Sequence, residues 1–207
     1  PVILLLLFTS YMSVFARTES FGTWIELTFK KKFLKDFEFS FIPDVRLQDD
    51  FTVDKYQFDS KLSFEAFKFL DLAAAYRIKT NVKTKTNVTT HRYVFDATLK
   101  NEFGRFTPSL RTRITNYNDT KEDEKVTFIR PRVKVAYDIK GNKIQPYTSY
   151  ELFRDINNKV TQKSRFDVGF TRKLGKYHRI GLYYRLQKYF DDQPSINILG
   201  IDYRFKI

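Results

Sequence analysis

Ile129-Arg130-Pro131-Arg132-Val133-Lys134-Val135-Ala136-Tyr137-Asp138 separates into two faces when read by alternate residues. Ile129, Pro131, Val133, Val135 and Tyr137 fall on one side; Arg130, Arg132, Lys134 and Asp138 fall on the other. Successive side chains of an extended chain point in opposite directions, so the stretch is a strand with one apolar and one ionic wall. The split recurs in Phe37, Phe39, Phe41, Val45 and Leu47 against Asp36, Glu38, Asp44 and Arg46. It recurs again in Leu199, Ile201, Tyr203, Phe205 and Ile207 against Asp202, Arg204 and Lys206.

Outward from these stretches, period two governs the chain from Phe21 to Ile207, and no amphipathic helix interrupts it. The spacing predicts strands over Phe21–Phe33, Asp36–Gln48, Lys55–Ala66, Phe69–Lys79, Thr90–Phe103, Phe106–Tyr117, Val126–Ile139, Lys143–Arg154, Lys163–Leu174, Tyr177–Tyr189 and Ser195–Ile207. Each has about the length a tilted strand needs to cross a bilayer. Short connections at Leu34-Lys35, Gly104-Arg105, Lys140-Gly141-Asn142 and Gly175-Lys176 alternate with longer polar ones at 49–54, 80–89, 118–125, 155–162 and 190–194. Short turns on one rim and longer loops on the other are the asymmetry of an outer-membrane barrel.

Placement of charge argues the same way. Charged residues are 29% of the chain, yet those in the apolar phase, such as Lys31, Arg172 and Lys188, stand near segment ends. A Lys or Arg facing lipid at the bilayer midplane costs about 2–4 kcal/mol, whereas near the interface it costs little. The expected fold is therefore an all-β, antiparallel up-and-down transmembrane β-barrel. Eleven segments are legible, but single-chain bacterial barrels have even strand numbers; twelve is the expected count, with ten or eleven as alternatives. An odd count would require the first and last strands to run parallel. A soluble barrel with its apolar face inward, binding an apolar ligand in the periplasm, has the same alternation and is the competing architecture.

Residues 1–16 carry no charge, hold an apolar run from Val2 to Phe8 and end Val14-Phe15-Ala16. They read as a signal peptide whose basic n-region is missing, cleaved from a single barrel domain over 17–207. The run is shorter than the roughly 20 apolar residues of a spanning helix.

The net charge of +13 raises nucleic acid as a partner, but the Lys and Arg residues are spread through strand positions, and no nucleic-acid motif accompanies them. Aromatics at 17% argue for a folded chain, and the absence of cysteine removes disulfides and thiol chemistry. No cofactor or metal is expected. His91 and His178, the two histidines, fall on the apolar phase near segment ends and read as interfacial side chains. An envelope-lipid enzyme using one of them with a nearby Ser remains the alternative to a non-enzymatic barrel. Asp49-Asp50 and Asp191-Asp192 read as solvated turn residues, with a bridging cation the lesser reading.

The ionic face is the candidate site. It contains Glu26, Glu38, Asp59, Glu65, Asp71, Asp96, Glu102, Asp167, Arg179, Asp202 and Arg204, and, above all, Arg77, Arg92, Arg111, Arg113, Arg130, Arg132, Glu151, Arg165 and Arg185. Guanidinium groups bind carboxylates through two hydrogen bonds, so one reading is a salt-bridge ladder that fills the lumen in place of an apolar core. The other is an arginine-lined path for a small anionic solute, centred on Arg111, Arg113, Arg130 and Arg132 from consecutive strands. The expected partners are outer-membrane lipid and lipopolysaccharide; protein partners are not legible.

Phe21-Gly22-Thr23-Trp24, Thr90-His91-Arg92-Tyr93, Arg111-Thr112-Arg113, Pro146-Tyr147-Thr148-Ser149-Tyr150-Glu151-Leu152-Phe153 and Gly181-Leu182-Tyr183-Tyr184-Arg185 together resemble a Bacteroidetes domain-of-unknown-function family of small outer-membrane β-barrel proteins. The resemblance implies a barrel in a Gram-negative outer membrane. It supplies no activity, cofactor or catalytic residue.

Overall fold

The computed structural model describes residues 18–118 and 126–207. The segment 1–16, read from the sequence as a signal peptide, and most of the expected loop 118–125 lie outside the described residues. Eleven strands are formed: β1 Thr18–Lys32, β2 Phe37–Leu47, β3 Val53–Phe67, β4 Leu70–Asn81, β5 Val88–Lys100, β6 Phe106–Asn118, β7 Thr127–Tyr137, β8 Ile144–Asp155, β9 Thr161–Leu174, β10 His178–Tyr189 and β11 Ser195–Lys206. Each coincides with one of the predicted segments to within a few residues.

Every strand from β1 to β11 pairs antiparallel with its sequence neighbour, and β1 and β11 close the barrel. That closing pair is parallel; after a bulge between Thr18 and Ser20 it runs in register from Ser20 opposite Ile196 to Lys30 opposite Lys206. The count among the described residues is therefore eleven, not the preferred twelve. An even number is forced only when first and last strands must run antiparallel; a parallel seam needs no hairpin and frees the parity. It also abolishes the sheet edge, whose backbone donors and acceptors would otherwise stand unpaired.

The tight turns lie on one rim, and Gly104, Gly141 and Gly175 hold them with φ of 60°, 75° and 71°, a region costly for other residues. On the opposite rim, Phe51 has φ 61° at the tip of the β2–β3 loop. Asp50 organises that tip, its Oδ1 accepting from the Thr52 hydroxyl at 2.6 Å and the Thr52 amide at 2.9 Å. Those bonds, the hydroxyl first, hold its carboxyl below the usual range. Asp191 similarly accepts from the Gln193 amide at 3.1 Å, so both acidic pairs serve their own turns.

The alternation resolves into an inverted core. Along β5, Thr90, Arg92, Val94 and Asp96 are buried, while His91, Tyr93, Phe95 and Ala97 between them are exposed. Phe95 is 55% exposed, Val133 53% and Val168 50%, whereas Asp44, Asp59, Arg77, Glu151 and Asp167 are each below 10%. The oily side chains face away from the barrel axis and the ionic ones face it. An apolar-lined interior, which the soluble ligand-binding alternative needs, is not what these strands enclose.

One packing device crosses three strands. Tyr183 on β10 stands opposite Gly169 of β9 and Gly200 of β11. Its ring occupies the space a side chain at Gly200 would fill, so the missing Cβ admits an aromatic group to the interior. Gly200→Ala should therefore expel the ring and cost about 1–3 kcal/mol by overpacking. Unfolding in urea would show the loss, and combining it with Tyr183→Ala should recover most of it.

Candidate functional site: a cationic interior

The barrel register sets the ion pairs. Asp59 stands opposite Arg77, Asp96 opposite Arg113, and Asp167 opposite Arg185 on neighbouring strands. Directly opposed residues on one sheet face approach closely enough to interact. Arg77 donates to both Asp59 oxygens at 2.7 and 2.6 Å, Arg113 to both of Asp96 at 2.6 and 2.7 Å, and Arg185 to both of Asp167 at 2.6 and 2.8 Å. Ser149 adds a bond to Asp167 at 3.2 Å. This part of the interior is a ladder of two-pronged pairs.

The centre is built differently. Glu151 on β8 is opposed by Arg132 on one side and Arg165 on the other, while Arg111 of β6 faces Arg132 of β7. Arg111 donates to Glu151 at 2.5 Å, Arg130 to both its oxygens at 3.2 Å, and Arg165 lies 3.9 Å away. Four guanidinium groups thus surround one carboxylate. The Nε atoms of Arg111, Arg130 and Arg132 are buried and meet no acceptor among the described residues. An unsatisfied buried donor costs about 1–3 kcal/mol, so this is a place where the fold itself leaves binding capacity unused.

Aromatic rings hold these cations in position. Arg130 and Arg165 lie 4.1 and 4.5 Å from the Phe153 centroid, and Arg46 lies 3.7 Å from that of Trp24. Arg165 and Arg185 each stand 4.9 Å from Trp24. Guanidinium over an aromatic face is a favourable electrostatic contact. Trp24, Arg46 and Phe153 were not picked out as members of the site by sequence reasoning; the signal was there, since Trp24 shares strand phase with Glu26.

A cavity of about 810 Å³ opens from the long-loop rim, where Gln48 and Asp49 line it, down to Arg204. Fourteen cationic and seven carboxylate side chains line it. Asp59 and Asp96 pair with two of those cations from the wall, which leaves a formal excess of five positive charges. A second cavity, about 260 Å³, lies toward the tight-turn rim among Lys30, Lys61, Asp96 and Lys100. Arg113 lines the first and Asp96 the second, so their pair stands between them; Lys61 approaches Asp96 at 3.9 Å.

Of the candidates, Arg111, Arg130, Arg132, Arg165 and Glu151 are brought together, Arg113 and Arg185 sit beside them in their own pairs, and Arg77 faces Arg92 across β4 and β5. Glu102 departs from expectation: β5 ends at Lys100, and Glu102 is exposed in the turn beyond it. His91 Nδ1 is hydrogen-bonded to the Tyr76 hydroxyl and His178 Nδ1 to the Tyr203 hydroxyl, each at 2.6 Å. Both are His–Tyr pairs on the outward phase, not the Ser–His pair that a lipid hydrolase requires.

The family model described as Protein of unknown function (DUF2490) matches residues 21–196, from the start of β1 to the start of β11. No curated protein matches the sequence.

Proposed function

The chain belongs to the DUF2490 family of proteins of unknown function, and we propose that it is an integral β-barrel of a Gram-negative, Bacteroidetes-type outer membrane that admits small anions into its interior. The observation that carries this reading is the outward array of Phe, Leu, Val and Tyr around a closed sheet whose enclosed face is ionic. In water that arrangement would expose far more contiguous apolar surface than a soluble monomer tolerates. In a bilayer it is the low-energy facing, with each strand paired to a neighbour on both sides and no open sheet edge.

The formal excess of positive charge supports the anion path over a filled ladder. A ladder that only replaced a core would balance its charges, because an unpaired buried ion is costly. Asp59–Arg77, Asp96–Arg113 and Asp167–Arg185 are such balanced rungs, whereas the Glu151 cluster is not. It calls for mobile anions, and the Asp96–Arg113 pair stands between the two cavities they would occupy. Without passage the barrel serves as a structural or accessory component of the membrane.

Planar-bilayer recordings test the path. The wild-type barrel should pass anions in preference to cations, and exchanging Arg111, Arg113, Arg130 and Arg132 for Gln should lower that ratio severalfold. Unchanged selectivity rejects the anion path.

A further inference from the structure

Three neighbouring guanidinium groups with unused buried Nε donors need an acceptor that can serve several of them at once. Arg111, Arg130 and Arg132 lie on adjacent strands, with Arg111 directly opposite Arg132. Glu151 engages Arg111 and Arg130 through their Nη2 atoms alone. A monatomic anion has no separate oxygens to distribute among such forks. A tetrahedral oxyanion offers several oxygens, each with lone pairs, and matches guanidinium geometry.

We infer that the Arg111–Arg130–Arg132–Arg165 cluster is a binding site for the phosphate group, as inorganic phosphate or as the phosphate of a small sugar ester. The inference rests on the reading of the interior as open to anions from the long-loop rim. Arg132, whose Nε is buried without an acceptor and which has no hydrogen bond to a carboxylate among the described residues, supplies donors to the ligand. Arg130 and Arg165 are steadied by Phe153, so ligand binding orders little that is not already ordered. Glu151 gathers the cations and at the same time sets an upper limit on affinity, because its charge repels the ligand. The wall is a closed sheet, so a lipid phosphate cannot enter sideways from the bilayer; the ligand comes from solution.

Trp24 is the sole tryptophan of the sequence and reports on the site, because Arg165 stands 4.9 Å from its ring and 3.9 Å from Glu151. Folded protein in detergent micelles is titrated with inorganic phosphate, glucose 6-phosphate or chloride at constant ionic strength, and the emission of Trp24 is followed. Both phosphates should give a saturating change and chloride should not. Arg132→Gln should raise the half-saturation concentration at least tenfold, and Glu151→Gln should lower it. Mobility on an unheated denaturing gel establishes that each variant is folded. If Glu151→Gln folds poorly, phosphate should raise its melting temperature more than that of the wild type.

Identical responses to phosphate and chloride overturn the site, as does an unaltered titration in folded Arg132→Gln. A response only to micelles that contain lipopolysaccharide assigns the phosphate to lipid and also overturns it. Anion-selective conductance without phosphate saturation leaves the anion path standing and removes the site. Saturation by phosphate without conductance does the reverse.

Discussion

On the membrane-barrel reading proposed above, Val133→Arg should destabilise the barrel in lipid vesicles by about 2–4 kcal/mol, the cost of placing a cation at the depth of the bilayer centre. Val133 lies in the middle of β7, is 53% exposed and faces away from the axis. If water bathed that face, the same exchange would fall within about ±0.5 kcal/mol, as surface substitutions do. Phe51→Arg is the matched control, since Phe51 is 71% exposed but stands at a loop tip beyond the sheet. Urea-driven unfolding from vesicles, with both variants compared against wild type, separates the cases. A large loss at Val133 and none at Phe51 supports a lipid-facing wall; equal, small effects at the two positions would sink it.

Asp167→Ala is the second large effect, on the opposite face of the sheet. Asp167 accepts two bonds from Arg185 and one from Ser149, and its side chain is almost fully enclosed. Its removal leaves the Arg185 guanidinium beside Trp24 and Tyr183 without its carboxylate, in an interior that already holds a positive excess. Breaking one side of an enclosed pair costs about 3–5 kcal/mol, whereas replacing both members with apolar groups of similar size is close to neutral. Asp167→Leu combined with Arg185→Leu should therefore recover most of the stability lost in Asp167→Ala. Equilibrium unfolding followed through Trp24 emission supplies all the required values. A double variant as unstable as the single one would show that the pair acts through packing and not through charge.

The barrel was legible because a period of two is a local property. Ile129 to Asp138 shows its two faces without reference to any other strand, and the tight turns carry glycine where φ must be positive. Facing was legible too, because charges in the apolar phase cluster at strand ends. The closing pair was legible only as an alternative: eleven segments imply parallel first and last strands, but twelve is the preferred count, because the register at which β1 and β11 meet is recorded in no local pattern. The site was half legible. The phase of Arg111, Arg130, Arg132 and Glu151 put them on one wall, but which arginine shares which carboxylate follows from the stagger between strands. That stagger pairs Arg113 with Asp96 and sets Arg132 opposite Glu151, a carboxylate it shares with Arg111 and Arg130. The rings of Trp24 and Phe153 were missed for the same reason: the register puts Trp24 opposite Arg46 and Phe153 near Arg130 and Arg165 of the flanking strands, and only the barrel seam brings Arg165 and Arg185 to Trp24.

The parallel seam between β1 and β11 sets the start of the first strand and the end of the last at opposite mouths, where an even-stranded barrel brings both to one. Thr18 lies beside Ser195 and Lys30 beside Lys206, so the polypeptide enters the wall at the mouth bearing the long loops and leaves it at the mouth bearing the tight turns. If the barrel spans an outer membrane as proposed, epitopes fused at these two points should report on opposite compartments, one open to antibody on intact cells and the other reached only after the envelope is breached.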